Sequence, residues 1–184
     1  MLILASQSPR RRELMQRAGL VFRVETREIE EVNDSSLPPV ELCARNASAK
    51  AEAVAADFPQ ATVVGADTLV FLDGRPLGKP ADREDAIRML TALQGRTHSV
   101  CTAVAVILPG GGRRDFAEVS HVTFLPLTRE QIEHYIDVVP VLDKAGAYAV
   151  QDHAELIIEH VEGDFDNVVG LPVTRLVQTL LPNP

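Results

Sequence analysis

The sequence predicts an α/β fold in which a mixed, twisted sheet is flanked by helices. Apolar segments typical of strands alternate with helical segments, and no internal repeat or low-complexity stretch interrupts them. Glycine-containing turns at Asp73-Gly74 and at 110–112 each follow a strand segment, as in a β-hairpin. No linker rich in glycine, serine or charge divides the 184 residues, so we expect one domain, residues 1–184, with two lobes around a cleft.

The first half of the chain is predicted to hold three strands and three helices. The strands are LILAS, VFRVE and ATVVGADTLVFL. Pro9, a favoured first helical residue, starts a helix that Gly19 ends. A long helix with an alanine-rich face covers 40–58, and Asp82 is the expected N-cap of a helix that ends before Gly95.

The second half is predicted to open with a β-hairpin, formed by HSVCTAVAVIL, the turn PGGG and a partner strand over 113–124. Thr128 and Gln131 have the spacing of a capping box and start a short helix. A strand, LIIEHV, then precedes a Gly163-Asp164 turn, and Pro172 opens a last helix, VTRLVQTLL.

Composition and charge exclude several classes of protein. The formal charge of −8 argues against general nucleic-acid binding, which needs a broad basic face. No apolar run approaches the ~20 residues that span a bilayer, and the N-terminus lacks the pattern of a signal peptide. We therefore expect a cytoplasmic protein without membrane contact. Cys43 and Cys101 lack metal-ligand spacing and are expected to be small buried side chains rather than a disulfide.

The stretch ASQSPRRRELM places arginines where a strand turns into a helix. A helix N-terminus offers backbone N–H groups, and guanidinium groups bind phosphate well, so Ser8, Arg10 and Arg11 suit an anion. A solvated first helical turn explains the same residues equally well. The decision therefore depends on the rest of the chain.

Further charged residues complete an inventory that fits phosphoryl chemistry. Asp67 is expected at the end of an apolar strand, where α/β proteins place ligands, and can act as a general base or hold a hydrated metal. Five cations could contact a triphosphate, and two carboxylates could hold a divalent ion. These are Arg10, Arg11, Lys50, Lys79 and Lys144, with Glu31 and Asp67. Taken singly, each of these residues is more often a surface residue than a ligand-binding one.

Other catalytic motifs are absent from the sequence. There is no GxxxxGK[ST], so a P-loop enzyme is disfavoured, and no HExxH or CxxC to bind zinc. Ser6 and Ser8 lack the GxSxG setting of a serine nucleophile. His98 stands at a strand start, where a structural role is the more common one.

Together the motifs resemble the Maf family of nucleotide pyrophosphatases, from residue 2 to about 180. The motifs, in chain order, are SQSPRRRELM, IEE, ASAKAEAVA, GADTLVFLDGRPLGKP, LQGRTHSVCTAV, DKAGAYAVQ and NVVGLP. The resemblance implies an inosine triphosphatase-like fold and a cytoplasmic enzyme that needs a divalent metal, Mg²⁺ or Mn²⁺. Such an enzyme cleaves nucleoside triphosphates to the monophosphate and pyrophosphate. The oligomeric state stays open between a monomer and a homodimer.

The resemblance also implies roles for single residues. Asp67 matches the family's proton acceptor, and Ser8, Arg10 and Arg11 match the residues that hold phosphates. Three further polar positions of the family's cleft match Glu31, Lys50 and Lys79. Asp67 and Glu31 would hold the metal ion.

Base specificity follows from the motif DKAGAYxxQ, which resembles the family branch that acts on dTTP and UTP. A second branch acts on 7-methylguanosine triphosphate and has glutamate at the last position. Here that residue is Gln151, whose amide can both donate to and accept from a pyrimidine edge. Arg11, Thr68 and Gln151 form the expected specificity set. Residues 152–155, DHAE, depart from the glycines that the family usually has there.

Three alternatives stay open at this point. The chain could be a nucleotide-binding regulator of cell division that has lost turnover, although it retains Asp67 and the cations. It could hydrolyse triphosphates at the γ phosphorus and release orthophosphate. It could also act on a modified nucleotide such as 7-methyl-GTP.

Overall fold

The computed structural model describes residues 1–181, so the last three residues of the domain predicted over 1–184 lie outside the described residues. Strands and helices alternate as follows: β1 (Leu2–Leu4), α1 (Pro9–Arg17), β2 (Arg23–Val24), α2 (Pro39–Ala55), β3 (Thr62–Leu72), β4 (Arg75–Leu77), α3 (Arg83–Leu93), β5 (Thr97–Ile107), β6 (Arg113–Phe124), α4 (Arg129–Val138), β7 (Ile158–Glu162), α5 (Phe165–Val169) and α6 (Val173–Leu180). Within residues 1–181, no helix is both long and apolar enough to cross a membrane.

All seven strands belong to one mixed sheet, which confirms the predicted fold class. The strand order is β2-β1-β3-β5-β6-β7, and β4 pairs with β3. β1 runs parallel to both β2 and β3, whereas the other pairs are antiparallel. The two glycine turns do connect antiparallel partners, β3 with β4 and β5 with β6.

Strand β3 has a gap in its pairing on one side. Its β5 side is paired continuously from Val63 to Phe71. On the opposite side β1 pairs with residues 62–64 and β4 with residues 70–72, and no other described strand lies there. Residues 65–69 are therefore free of a strand neighbour on that side. The segment that follows β1 begins at one end of this gap, and the segment that follows β4 begins at the other end.

Three apolar clusters pack on the two faces of the sheet. Because side chains alternate along a strand, neighbouring residues of β3 enter different clusters. Val63 packs with helix α2 on one face, while Val64 and Ala66 pack with α1 and α6 on the other. Further along that second face, Val70 joins a separate cluster with α3 and α4. Thr68 lies between the two clusters, so a polar position divides the core of this face.

Gly65 lets helix α2 lie directly against β3. A Cβ atom built at this position would collide with the backbone oxygen of Ala47 and would lie 2.7 Å from the backbone nitrogen of Ala51. Neither backbone atom can move without shifting the helix, so only glycine allows this separation. The close contact brings the polar face of α2 over the middle of β3.

Local signals predicted most elements correctly. The side chain of Asp82 accepts from the Asp85 backbone N–H at 2.8 Å, as expected of an N-cap. Thr128 and Gln131 form the predicted capping box, and β6 has the predicted bounds. Cys43 and Cys101 are buried and free, as expected.

Three expectations on the elements were wrong. Strand β2 has two residues rather than the five of VFRVE, because it pairs only where β1 provides a partner. Helix α5 was not predicted, since its five residues are too short for a helical period. Asp67 does not end a strand: it lies inside β3, opposite Ala103 of β5.

Acid sensitivity should depend on His98, whose Nε2 lies 2.8 Å from Tyr148 Oη. Burial lowers the pKa of His98 from 6.5 to about 4, with a smaller contribution from His121. Between these values the unfolded chain binds the extra proton, so stability is complete above pH 6.5 and falls as the pH drops towards 4. We expect the loss of unfolding free energy from pH 7 to pH 5 to be about 2 kcal/mol smaller in His98→Gln than in the parent protein.

Urea unfolding at the two pH values measures this difference. Equal losses in the parent and the variant would contradict the role of His98.

Candidate active site

A cavity of about 1100 Å³ opens at the gap along β3. Its wall is formed by the turn after β1, the loop between β2 and α2, the inner face of α2, the chain leaving β4, and two segments near residues 143–151 and 168–170. This position fits the rule that α/β sheets bind ligands where neighbouring strands diverge. Because the gap exposes the edge of β3, side chains from both faces of that strand reach the cavity.

Every site residue predicted from the sequence lines this cavity. They come from six separate segments of the chain and are Ser8, Arg10, Arg11, Glu31, Lys50, Asp67, Thr68, Lys79, Lys144 and Gln151. Their convergence is a geometric fact, and their roles remain predictions. Isolated surface residues would not be expected to gather from so many segments.

Lys50 joins the two predicted metal ligands. Its Nζ lies 2.6 Å from Asp67 Oδ1 and 2.7 Å from Glu31 Oε1. The hydrogen bond from Lys50 is the main cause that lowers the pKa of Glu31 below its usual value, and the charges of Lys50, Lys79 and Arg11 act in the same direction. Burial of Glu31 opposes this shift but does not reverse it. Glu31 is therefore ionised at neutral pH.

Asn46 contacts the same group from the preceding turn of α2. Its Nδ2 lies 3.4 Å from Asp67 Oδ2 and donates to the backbone oxygen of Val32 at 3.1 Å. Its Oδ1 accepts from the Val32 N–H at 2.8 Å. The amide thus connects the loop that carries Glu31 with the strand that carries Asp67.

Arg11 uses its guanidinium group to join three segments. Nε donates to the Gly170 carbonyl at 2.8 Å, Nη1 to Ser6 Oγ at 3.1 Å and Nη2 to Thr68 Oγ1 at 2.9 Å. Burial lowers the pKa of Arg11 below its usual value, while nearby Asp67 raises it. Since an arginine pKa lies far above neutrality, the group stays charged. Its positive charge is therefore fixed in place at the cavity wall.

The other predicted phosphate contacts differ in how freely they can reach a ligand. Lys144 is buried and its Nζ donates to the Pro140 carbonyl and to Asp143 Oδ1. Arg10 approaches Asp143 only at 3.8 Å. Lys79 is exposed and has no ion pair among residues 1–181. Arg10 and Lys79 are thus the cations with the most freedom to meet a ligand.

Ser8 has a structural role that the sequence suggested only in part. Its side chain is the N-cap of α1 and accepts from the Arg11 backbone N–H at 3.4 Å. The cap fixes the start of α1 beside the cavity, so the positive end of the helix faces it.

Two buried tyrosines hold the segment that carries Gln151. Tyr135 Oη accepts from the Ala149 N–H at 3.1 Å and lies 3.4 Å from the carbonyl oxygens of Ala149 and Asp152. Tyr148 is held by His98, as described above. Gln151 itself is exposed on the cavity wall.

The departure at 152–155 has a backbone consequence. His153 adopts a φ of +51°, in the left-handed region that favours glycine. A glycine, which the resemblance leads one to expect in this segment, would adopt it without strain. The change leaves the backbone path compatible with glycine and adds charged side chains beside Gln151.

Two asparagines important to the site were missed by sequence reasoning. Asn46 interrupts an alanine-rich helix, and asparagine is a poorer helix former than alanine, which was an available signal. Asn167 of the NVVGLP motif is fully buried and donates to the Val100 carbonyl and to Ser120 Oγ at 3.1 and 2.8 Å. It anchors the segment whose Gly170 carbonyl meets Arg11.

The donor set at the cavity fits a divalent ion that binds together with a substrate. Within residues 1–181, no group of three or more His, Cys, Asp or Glu side chains is arranged to hold a metal. Asp67 and Glu31 offer two carboxylates. Mg²⁺ is commonly held by one or two carboxylates together with substrate phosphates and water, so two are sufficient.

Comparison with known proteins agrees with this geometry. The sequence model of the Maf family, described as Maf-like protein, matches residues 1–182. The chain is 56% identical over 178 residues to a dTTP/UTP pyrophosphatase of Akkermansia muciniphila, covering 97% of this chain and 94% of the relative. It is 48% identical over 183 residues to a dTTP/UTP pyrophosphatase of Symbiobacterium thermophilum, covering 97% and 92%.

A solved structure extends the agreement to the fold. The Staphylococcus aureus Ham1 protein superposes with a TM-score of 0.52 at 16% identity, covering 96% of this chain and 95% of that protein. At this identity the likeness concerns the fold alone. The match to the family over nearly every residue and the high identity to these relatives lead to one conclusion: the chain belongs to the Maf family.

Proposed function

We propose that the protein hydrolyses nucleoside triphosphates, and dTTP and UTP in particular, to the monophosphate and pyrophosphate. The observation that carries this proposal is the arrangement at the cavity, where Lys50 bridges Asp67 and Glu31 and further cations surround them. A triphosphate needs several positive charges at one place, in a protein whose net charge of −8 would otherwise repel it. The two relatives described above are named dTTP/UTP pyrophosphatases, which supports the same reaction.

In the proposed reaction water attacks the α phosphorus and the bond to the α–β bridging oxygen breaks. Asp67 accepts a proton from the water, since a carboxylate has lone pairs beyond those that Lys50 and Asn46 occupy. Pyrophosphate leaves with the bonding electrons. Arg10, Lys79 and the fixed charge of Arg11 offset the negative charge that grows on the phosphate oxygens.

Asp67 and Glu31 are the residues that would hold a divalent ion such as Mg²⁺ or Mn²⁺. When bound, this ion would supply further neutralisation of phosphate charge. Lys50 bonds to both carboxylates and holds them close together, which prepares them for such an ion.

Gln151 is proposed to recognise the base. Its side chain is exposed on the cavity wall, and the backbone on either side of it is held by Tyr135. An amide on a fixed backbone can pair with the O4 and N3–H groups of thymine or uracil. Thr68 and Arg11, whose side chains are bonded to each other, line the same cavity and complete the proposed specificity set.

A panel of triphosphates with Mg²⁺ or Mn²⁺, scored separately for pyrophosphate and orthophosphate, tests the proposal. We expect equal amounts of monophosphate and pyrophosphate from dTTP and UTP. Orthophosphate as the product would show attack at the γ phosphorus. Binding without turnover would support a regulatory protein instead.

Asp67→Asn should remove the proton acceptor and leave the shape of the side chain unchanged. We expect kcat to fall by about 10²- to 10⁴-fold, the usual contribution of general base catalysis. Steady-state kinetics with dTTP gives the value. A variant that kept more than about a tenth of the parent kcat would exclude this role, because loss of a general base is expected to cost at least about 100-fold.

Arg11→Lys should keep the charge and lose the three-way contact to Ser6, Thr68 and Gly170. Lysine cannot reproduce the fork of a guanidinium, so we expect loss of about 1–3 kcal/mol of unfolding free energy. kcat/KM should fall together with stability, because the same contacts shape the cavity. Arg10→Lys provides the comparison, as Arg10 lacks such buried contacts. Equal effects of the two changes on stability would contradict the structural assignment.

Gln151→Glu should change base selectivity. Glutamate can only accept hydrogen bonds and would face the pyrimidine O4 with a negative charge. A repelled contact in a desolvated pocket costs about 1–3 kcal/mol, so kcat/KM for dTTP and UTP should fall about tenfold or more. Activity on a guanine triphosphate should fall less or rise. If kcat/KM fell equally for both substrates, Gln151 would not recognise the base, and residues 152–155 would be the next candidates.

A further inference from the structure

Helix α2 presents two polar residues to the cavity from one face. Asn46 and Lys50 are four residues apart, so their side chains lie above one another. Both contact Asp67, Lys50 at Oδ1 and Asn46 at Oδ2, with distances of 2.6 and 3.4 Å. Both also contact the loop opposite, Lys50 through the Glu31 side chain and Asn46 through the Val32 backbone. The two residues are parallel bridges between the same two parts of the molecule.

The bridged loop has few other attachments through its backbone, although the side chains of Thr26 and Arg27 bond to Gln7 and Asp57. We define the Glu31 loop as residues 26–33, which contain no helix or strand. Before it, the Glu25 N–H donates to the Leu4 carbonyl at 3.2 Å, and after it a turn closes from Leu37 N–H to Asp34 at 3.2 Å. Within residues 1–181, the two bonds of Asn46 with Val32 are the only hydrogen bonds between the backbone of the Glu31 loop and another element.

A buried asparagine is unusual at this place in the helix. Asn46 is only 3% exposed, and the buried residues nearest to it in α2, Leu42, Cys43 and Ala47, are all apolar. Burying an amide is costly unless it is hydrogen-bonded, and asparagine is a weaker helix former than leucine or alanine. The reciprocal pair with Val32 satisfies both halves of the amide. The contact with the loop therefore accounts for the residue type.

The two bridges differ in charge, and this difference matters when a substrate binds. The ammonium of Lys50 is attracted to phosphate oxygens, so a triphosphate competes with Glu31 and Asp67 for it. Asn46 is neutral and its amide is already paired with backbone groups. The hydrogen bonds of Asn46 to the Glu31 loop are therefore expected to persist when a charged substrate binds in the cavity.

We propose that Asn46 is a positioning residue that keeps Glu31 and Asp67 in place while Lys50 exchanges partners with the substrate. Its proposed action is indirect: it orients the Asp67 carboxylate and holds the Glu31 loop through hydrogen bonds. The inference rests on the proposed function, because it assumes that phosphate binds beside Lys50. The inference assigns a role to a residue that was not among the site residues predicted from the sequence.

Asn46→Leu tests the proposal, since leucine keeps the branched shape with a somewhat larger volume and removes both bonds to Val32. We expect amide hydrogen exchange in the Glu31 loop to accelerate by about tenfold or more, as expected when a pair of buried hydrogen bonds is lost. kcat for dTTP should fall by about 10- to 100-fold, because catalytic groups displaced by ~1 Å lose activity on this scale. KM should change much less, since Arg10 and Lys79 still meet the phosphates.

Asn46→Asp is the second variant and separates the two halves of the amide. It keeps the acceptor for the Val32 N–H and loses the donor to the Val32 carbonyl and Asp67. Exchange in the Glu31 loop should therefore lie between the parent protein and Asn46→Leu, whereas kcat should fall at least as far as in Asn46→Leu. This split is not expected of a residue that only stabilises the helix.

Ser48→Ala is the matched control. Ser48 lies on the same helix, its Oγ accepts from Arg113 and it is absent from the cavity wall. It should leave kcat and exchange in the Glu31 loop unchanged. Unchanged exchange in Asn46→Leu, or equal effects of Ser48→Ala, would overturn the proposal. Hydrogen exchange can be measured without turnover. If the parent protein released no pyrophosphate, the proposed function would be wrong, but the effect of Asn46 on the Glu31 loop could still be measured.

Discussion

The gap in the pairing of β3 is the constraint on which the rest of the site depends. One side of the strand is fully paired with β5, and the other side is left open between β1 and β4. Any residue that must meet Asp67 and Thr68 together can do so only through this opening. Gly65 lies at its start and lets α2 approach the face of β3 closely enough for Asn46 and Lys50 to reach Asp67. Sheet topology and glycine placement together create the cavity.

Charge balance explains why buried ionised groups are tolerated there. Asp67 is 6% exposed, and an isolated carboxylate at that depth would be costly. Lys50 compensates Asp67 and Glu31 at once, so the two carboxylates share one cation. This leaves an excess of negative charge at the centre, surrounded by Arg10, Arg11 and Lys79. The arrangement favours a ligand that carries both phosphate and a metal ion, because each component meets the opposite charge.

Local signals were sufficient for most elements, and the site residues that the resemblance implies all line one cavity, while their roles stay predictions. The capping box at Thr128 and the N-cap at Asp82 depend on residues three positions apart, so the sequence contains them in full. The roles of Asn46 and Asn167 depend on partners 14 and 47 residues away, which no local pattern encodes. The sequence also could not distinguish Lys144, bonded to Pro140 and Asp143, from the freer Lys79, because the burial of Lys144 depends on how distant segments pack around it.

The contact between Arg11 and Gly170 ties the two ends of the chain into one cooperative unit. Residues 159 positions apart meet at this bond, and Asn167 fastens the same C-terminal segment to β5. The first turn of α1 and the segment 164–170 must therefore fold, and unfold, together. Although most predicted site residues lie in the first half of the chain, that half alone would lack the wall behind Thr68. The active site is thus a property of the whole domain, and fragments that end before α5 would carry its residues without its shape.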